Sequence, residues 1–216
     1  MLKSVRTSPV KIFVTGLVTG LTLQLAIGPV FLFIANLTLQ KSFLDGVVGV
    51  FAVTAVDYLY ITLAILGVGK LLEKKHVRKS FGIISSVILI AFGVLFIYGA
   101  STISAPTSTL SETPTLFSSF LSVFVLTITN PMTILFFTGL FSAKAVEYHY
   151  TKHQLLIFGL SVGLATFLFM GTAVILFSLL KESVPVPVIQ TLNTLVGSLL
   201  IVYGLIRIKT SINKNA

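Results

Sequence analysis

Few residues in this 216-residue chain have side chains suited to chemistry in an apolar setting, and Asp57 is the first of them. It stands at the centre of an otherwise uncharged run from Gly46 to Gly69. A carboxylate at that depth in a bilayer costs about 2.5–3.5 kcal/mol to insert, so it faces protein or water rather than lipid. Either it locks helices together as a protonated or hydrogen-bonded group, or it alternates between protonated and ionised forms and binds a cationic group. Two further places supply chemistry through the backbone, Gly28-Pro29 and Asn130-Pro131, each inside a long apolar run. Proline lacks an amide donor and obstructs the carbonyl four residues back, so a helix must bend or open where water is scarcest. Freed backbone groups and helix ends at such a break can point into a cavity, which is where many secondary transporters hold their substrate. Gln24, Asn36 and Thr129 are polar neighbours, equally suited to lining a site or to bonding between helices.

The elements that must position these residues are membrane spans. The chain is 55% hydrophobic and 10% charged, with a mean hydropathy of +1.04. Several runs exceed the roughly 20 apolar residues that a membrane helix needs. Six spans are expected, at about 12–39, 46–69, 81–103, 116–141, 154–180 and 188–206. The net charge of +9 would suggest nucleic acid in a soluble protein, but here the basic residues sit in short connections between apolar runs. With six spans, every Lys and Arg except Lys41 and Lys181 falls on the side of the termini, which makes that side cytoplasmic. The densest group, Lys70 to Lys79, reads as a cytoplasmic loop beside anionic lipid, with His76 a surface residue. Lys3, Arg6 and Lys11 resemble the start of a signal peptide, but the apolar run behind them is too long for one.

The chain reads as one transmembrane domain, 1–216, made of two similar halves, about 9–103 and 116–209. The polar connection 104–115 separates them. Each half has a span broken by Xaa-Pro, then a span with spaced glycines, then a span closing on Tyr-Gly, Tyr98-Gly99 in one and Tyr203-Gly204 in the other. Three spans per half is an odd number, so the halves lie in opposite orientations. The expected fold is therefore an all-α integral membrane protein with six transmembrane helices as an inverted repeat of two three-helix halves, an architecture that supports alternating access. The fifth span reads LATFLFMGT where a second acid would stand, so whatever Asp57 does is done once per chain. That favours binding or coupling over a repeated structural role. Gly16/Gly20 and Gly159/Gly163 are GxxxG pairs, which predict close helix packing, with a homodimer as the alternative use.

Other chemistries find little support. There are no cysteines, which excludes disulfides and thiolate nucleophiles or metal sites. No Ser-His, paired-Asp or HExxH arrangement occurs in the spans, and no P-loop, so neither an enzyme nor an ATP-driven pump is expected, and no cofactor. Glu147, His149 and His153 lie close together in sequence, but solvated loop residues are the better reading, and no metal site is expected.

Against this background the chain resembles the LysE/RhtB family of amino-acid exporters over nearly its whole length. The carriers are LAIGPVFLF from Leu25 to Phe33, GVVGVFAVTAVD ending on Asp57, and Asn130-Pro131 followed by Phe136-Phe137. One position departs: the Lys frequent after Asn-Pro in that family is Met132 here, which bears on substrate choice or gating. The resemblance implies a secondary transporter in a prokaryotic plasma membrane, exporting an amino acid or related metabolite by proton antiport. A divalent-cation exporter of the same superfamily is the alternative. The candidate site is Gln24, Gly28, Pro29, Asp57, Thr129, Asn130 and Pro131, with Asp57 carrying the proton. Lipid and a small molecule are the expected partners, and nucleic acid is not.

Overall fold

The computed structural model describes residues 8–25, 28–67, 75–102, 115–146 and 148–213. All regular structure among them is helical: α1 (Pro9–Gln24), α2 (Pro29–Gln40), α3 (Phe43–Ile65), α4 (Lys75–Thr102), α5 (Leu116–Ile128), α6 (Pro131–Val146), α7 (Lys152–Leu180), a 3-10 turn at Lys181–Ser183, and α8 (Val186–Asn213). Among the described residues, three stretches are long and apolar enough to cross a membrane, Phe43–Ile65, Lys152–Leu180 and Pro187–Thr210. The pair α1 and α2, bent by 77° at their junction, makes a fourth when counted as one broken span. The polar connection expected at 104–115 falls almost wholly outside the described residues, as do Lys70 to Lys74 of the basic loop and Glu147.

Local chemistry sets the helix ends. Pro29 opens α2 and Pro131 opens α6, at the position where a helix loses nothing by lacking an amide hydrogen. Thr151 and Gln154 form a capping box at the start of α7, with side chain and backbone bonded in both directions. That box draws Lys152 and His153 into the helix, and Lys144 belongs to α6, so the connection expected at 144–153 is shorter than its sequence suggested.

Asp45, which falls in the connection between the first two expected spans at about 12–39 and 46–69, lies instead in the first turn of α3 and is buried. Ser42 caps the helix by accepting from the Asp45 amide at 3.1 Å and donates its own hydroxyl to Asp45 Oδ2 at 2.6 Å. From α5, Ser119 donates to the other carboxylate oxygen at 2.6 Å, and Lys41 Nζ donates to Ser119 Oγ at 3.1 Å. Lys181 Nζ reaches the Lys41 carbonyl at 2.5 Å. One end of the bundle is thus closed by a polar knot joining the α2–α3 turn, α5 and the end of α7.

The apolar core forms two clusters. One gathers Phe33, Ile34, Val50, Val53, Leu89, Leu126, Met170 and Leu200, and the other Ile12, Val56, Tyr60, Phe137, Phe141, Phe158 and Val162. Helix α3 belongs to both and packs on α2, α5, α6 and α7, while α1 lies along α7 and α4 along α8. Asn36, equally suited by sequence to lining a site or to bonding between helices, does the latter: it donates to Asn193 of α8, and Gln40 donates to the same oxygen at 2.5 Å.

Both GxxxG pairs are occupied from within the chain. A Cβ on Gly16 would meet Ser161 and Phe158, and one on Gly20 would lie 2.5 Å from the Ala165 Cβ and 3.0 Å from the Val162 carbonyl oxygen. Gly159 receives Ile61, and Gly163 receives the ring of Tyr58. A Cβ on Gly139, by contrast, would meet nothing within 4 Å among the described residues. Thermal unfolding in detergent should therefore separate two single-methyl additions. Gly20→Ala is expected to cost about 1–3 kcal/mol by overpacking, and Gly139→Ala to be neutral or stabilising; equal effects would contradict the α1–α7 contact described here.

Candidate functional site

The two helix breaks meet at one cavity of about 370 Å³. The end of α1 contributes Gly20, Leu23 and Gln24, and the start of α2 contributes Gly28, Pro29, Val30 and Phe31. From α3 come Val53 and Asp57; Thr127, Asn130, Thr133, Phe136 and Phe137 come from around the second break, and Val162, Thr166 and Met170 from α7. Of the residues expected from sequence, Gln24, Gly28, Pro29, Asp57 and Asn130 are thereby brought together. Thr129 stands outside the lining, because its hydroxyl turns back on α5 to the Val125 and Leu126 carbonyls at 2.6 and 3.3 Å. Pro131 opens α6 directly after the lining residue Asn130.

Asp57 is 5% exposed and held from across the bundle. Thr166 Oγ1 donates to its Oδ2 at 2.8 Å, and Gln24 Nε2 donates to Thr166 Oγ1 at 2.7 Å. The three side chains form a directed chain from α1 through α7 to α3. A hydroxyl carries one hydrogen and two acceptor positions. Having given that hydrogen to the carboxylate, Thr166 accepts from Gln24, and this requires Gln24 to present its NH₂ group.

The second break is held in a similar way. The phenol of Tyr60, one turn beyond Asp57 on α3, donates to the carbonyl of Ile128, the last residue of α5. In an apolar environment an unpaired carbonyl is expensive, so this bond supports an interrupted helix at that point. The neighbouring amides bond locally, Asn130 N to the Thr127 carbonyl at 3.0 Å and Thr133 N to the Asn130 carbonyl at 3.2 Å.

Electrostatically the cavity is simple. Among the described residues, Asp57 is the one charge-bearing group of the lining, and no Lys, Arg or His lines it. Positive potential comes from the backbone: α2 starts at the cavity wall with Gly28 extended (φ −111°, ψ 178°), an N-cap residue that has no side chain to bond the first amides, and α6 starts beside Asn130. Helix N-termini carry partial positive charge and attract anions. The arrangement is chemically suited to one cationic group at Asp57 and one anionic group at a helix start, with Phe31, Phe136, Phe137 and Met170 around the remaining volume.

The sequence profile of the LysE type translocator family matches residues 21–208. The chain belongs to this family. The matched range covers Gln24, both breaks, Asp57 and Thr166. A search of curated proteins and a search of solved structures each give no match. LysE-type translocators are multi-pass membrane transporters and not enzymes, and membership implies export of small molecules of the amino-acid kind.

Sequence reasoning had passed over Thr166, Thr133 and Tyr60. Thr166 lies in the LATFLFMGT stretch noted for its missing acid, where a hydroxyl among large apolar residues was the available signal. Tyr60 was legible only by its spacing, three residues past Asp57. Tyr60→Phe is expected to lower stability in detergent by about 0.6–1.7 kcal/mol, the range for a hydrogen bond between membrane helices, measured by thermal unfolding; an unchanged midpoint would mean that the Ile128 carbonyl finds another donor.

Proposed function

We propose that this LysE-type translocator is a proton-coupled secondary exporter that carries an amino acid or related zwitterion outward by antiport, with Asp57 as the coupling group. The observation that carries the reading is the convergence of Gln24, Gly28, Pro29, Asp57 and Asn130 on one cavity, although they come from distant parts of the chain. In this reading the ammonium of the substrate pairs with the Asp57 carboxylate and its carboxylate lies against the start of α2. Asn130 and Pro131 shape the opposite wall, and Thr129 acts only by terminating α5. A proton arriving on Asp57 neutralises the carboxylate and releases the ammonium, so substrate and proton occupy the site in turn. Met132 stands where Lys is frequent in the family, so that position adds no cation at the second break.

The same reading places six spans in the plasma membrane of a prokaryote with both termini cytoplasmic, α1–α2 and α5–α6 each serving as one broken span. The helix contacts support an inverted repeat. Helix α1 packs on α7 as α5 packs on α3, α2 meets α7 as α6 meets α3, and the third spans, α4 and α8, pair with each other. Exchanging the halves maps these contacts onto one another. Any homodimer would meet through other faces, because both glycine pairs are occupied within the chain.

Liposomes preloaded with labelled leucine, threonine and lysine, assayed with and without a proton gradient, test the proposal. Gradient-dependent efflux of one of them is expected, and Asp57→Asn should reduce it to background while protein abundance stays normal. Normal gradient-driven export by Asp57→Asn would remove the coupling role. Absence of any amino-acid flux from folded protein would turn the reading toward divalent cations.

A further inference from the structure

We propose that Thr166 is a two-way hydroxyl that lets Asp57 gain and lose its proton in place, as a donor to the ionised carboxylate and an acceptor from the protonated one. This deepens the proposed coupling role of Asp57 and rests on that reading. It is carried by the geometry of the Gln24–Thr166–Asp57 chain. In the ionised state a carboxylate accepts only, so the Thr166 hydrogen lies on the line to Oδ2, 2.8 Å away, and Gln24 fills a lone pair of the same hydroxyl from 2.7 Å. When a proton settles on Oδ2, the new O–H points at Thr166 Oγ1. The hydroxyl oxygen has two acceptor positions, one already used by Gln24, and the second takes the Asp57 hydrogen. The Thr166 hydrogen is then displaced and turns into the cavity that Thr166 lines.

Each protonation state of Asp57 is therefore hydrogen-bonded without moving a helix. That matters because Thr166 and Asp57 are 1% and 5% exposed, and a buried polar group left without a partner is strongly disfavoured. No other charge does this work. The ionisable neighbours of Asp57 are Tyr58 and Tyr60 on its own helix. Among the described residues, the lining supplied by α1, α2, α5, α6 and α7 contains no Lys, Arg, His or second acid. Thr166 is thus a positioning residue whose effect is read through Asp57.

The displaced hydrogen has a consequence for the transport cycle. With Asp57 ionised, the cavity presents a carboxylate to an ammonium. With Asp57 protonated, it presents a hydroxyl donor in addition to a neutral acid, and the ammonium loses its partner. A single proton thus exchanges an acceptor site for a donor site.

The test reads Asp57 directly, with dicyclohexylcarbodiimide as the probe, because this apolar reagent modifies buried carboxyl groups in their protonated form. The full-length protein in liposomes is labelled from about pH 4 to about pH 9, and the modified peptide is quantified by mass spectrometry. The chain has six acidic residues in all, and Asp57→Asn identifies the signal. Thr166→Val keeps the side-chain volume and removes the hydroxyl, which bonds both forms but the ionised one more strongly, because a charge-assisted hydrogen bond exceeds a neutral one. Its labelling should persist to higher pH, by about one unit. Thr166→Ser, which keeps the hydroxyl and loses only a methyl group, should restore the wild-type profile. Thr166→Ala, too small to clash, is read in the same way as the Val variant and serves if Val does not reach the membrane. A wild-type profile in both hydroxyl-free variants would overturn the proposal, and so would a Ser variant that behaves like Val. Neither outcome depends on transport, so failure of this inference and failure of the exporter reading are distinguishable: a shifted profile without amino-acid efflux would sink only the latter.

Discussion

A carboxylate and two interrupted helices inside an apolar bundle impose one requirement, that every polar group be satisfied from within the protein. Water is scarce at that depth, and an unpaired carbonyl or carboxylate there is costly. The chain Gln24–Thr166–Asp57 meets the requirement for the acid, and the phenol of Tyr60 meets it for the carbonyl that ends α5. Both solutions run through α3, which carries Asp57 and Tyr60 one turn apart. The remaining packing is arranged so that the neighbours of α3 come near enough to make these bonds.

Glycine sets those approaches. Gly20 and Gln24 are one turn apart on α1, and a Cβ on Gly20 would press on Ala165, the residue beside Thr166. Gly163 takes the ring of Tyr58, the residue beside Asp57, and the Tyr58 hydroxyl donates to the Leu160 carbonyl at 3.1 Å. The GxxxG pairs are thus the spacers that let three helices share one hydrogen-bonded chain, and their packing role is tied to the site. Phe141 and Phe158, stacked edge to face behind Gly159, fill the volume on the far side of the same contact.

The site and the polar knot around Asp45 lie at two levels of the bundle. At the cavity, a single acid and helix starts create a place where opposite charges can be held without a second ionisable side chain. At the end of the bundle, Asp45, Ser119, Lys41 and Lys181 tie together elements from both parts of the chain. The two acids differ in kind. Asp45 is bonded on both oxygens by neighbouring hydroxyls and caps a helix, whereas Asp57 faces a cavity through a single hydroxyl partner.

Sequence alone determined the membrane class, the positions of the two breaks, the singularity of Asp57 and the family resemblance. These follow from hydropathy, from the covalent geometry of proline and from the cost of a lone charge, all of which are properties of local sequence. It also placed Gln24, Gly28 and Asn130 among the candidates, because polar residues and Xaa-Pro steps stand out against an apolar run. Tertiary structure decided which polar residues face the same space. Asn36 and Thr129 have the same local credentials as Gln24, yet one is turned to Asn193 and the other back onto its own helix. Asp45 was misplaced because a serine cap and a serine from a distant helix drew it out of the expected loop and into a buried turn. Thr166 gave no strong signal, since a threonine in an apolar span is ordinary until a carboxylate from another helix is set 2.8 Å from its hydroxyl. A hydrogen bond between helices depends on their separation and rotation, and these are products of packing that no single stretch of sequence contains.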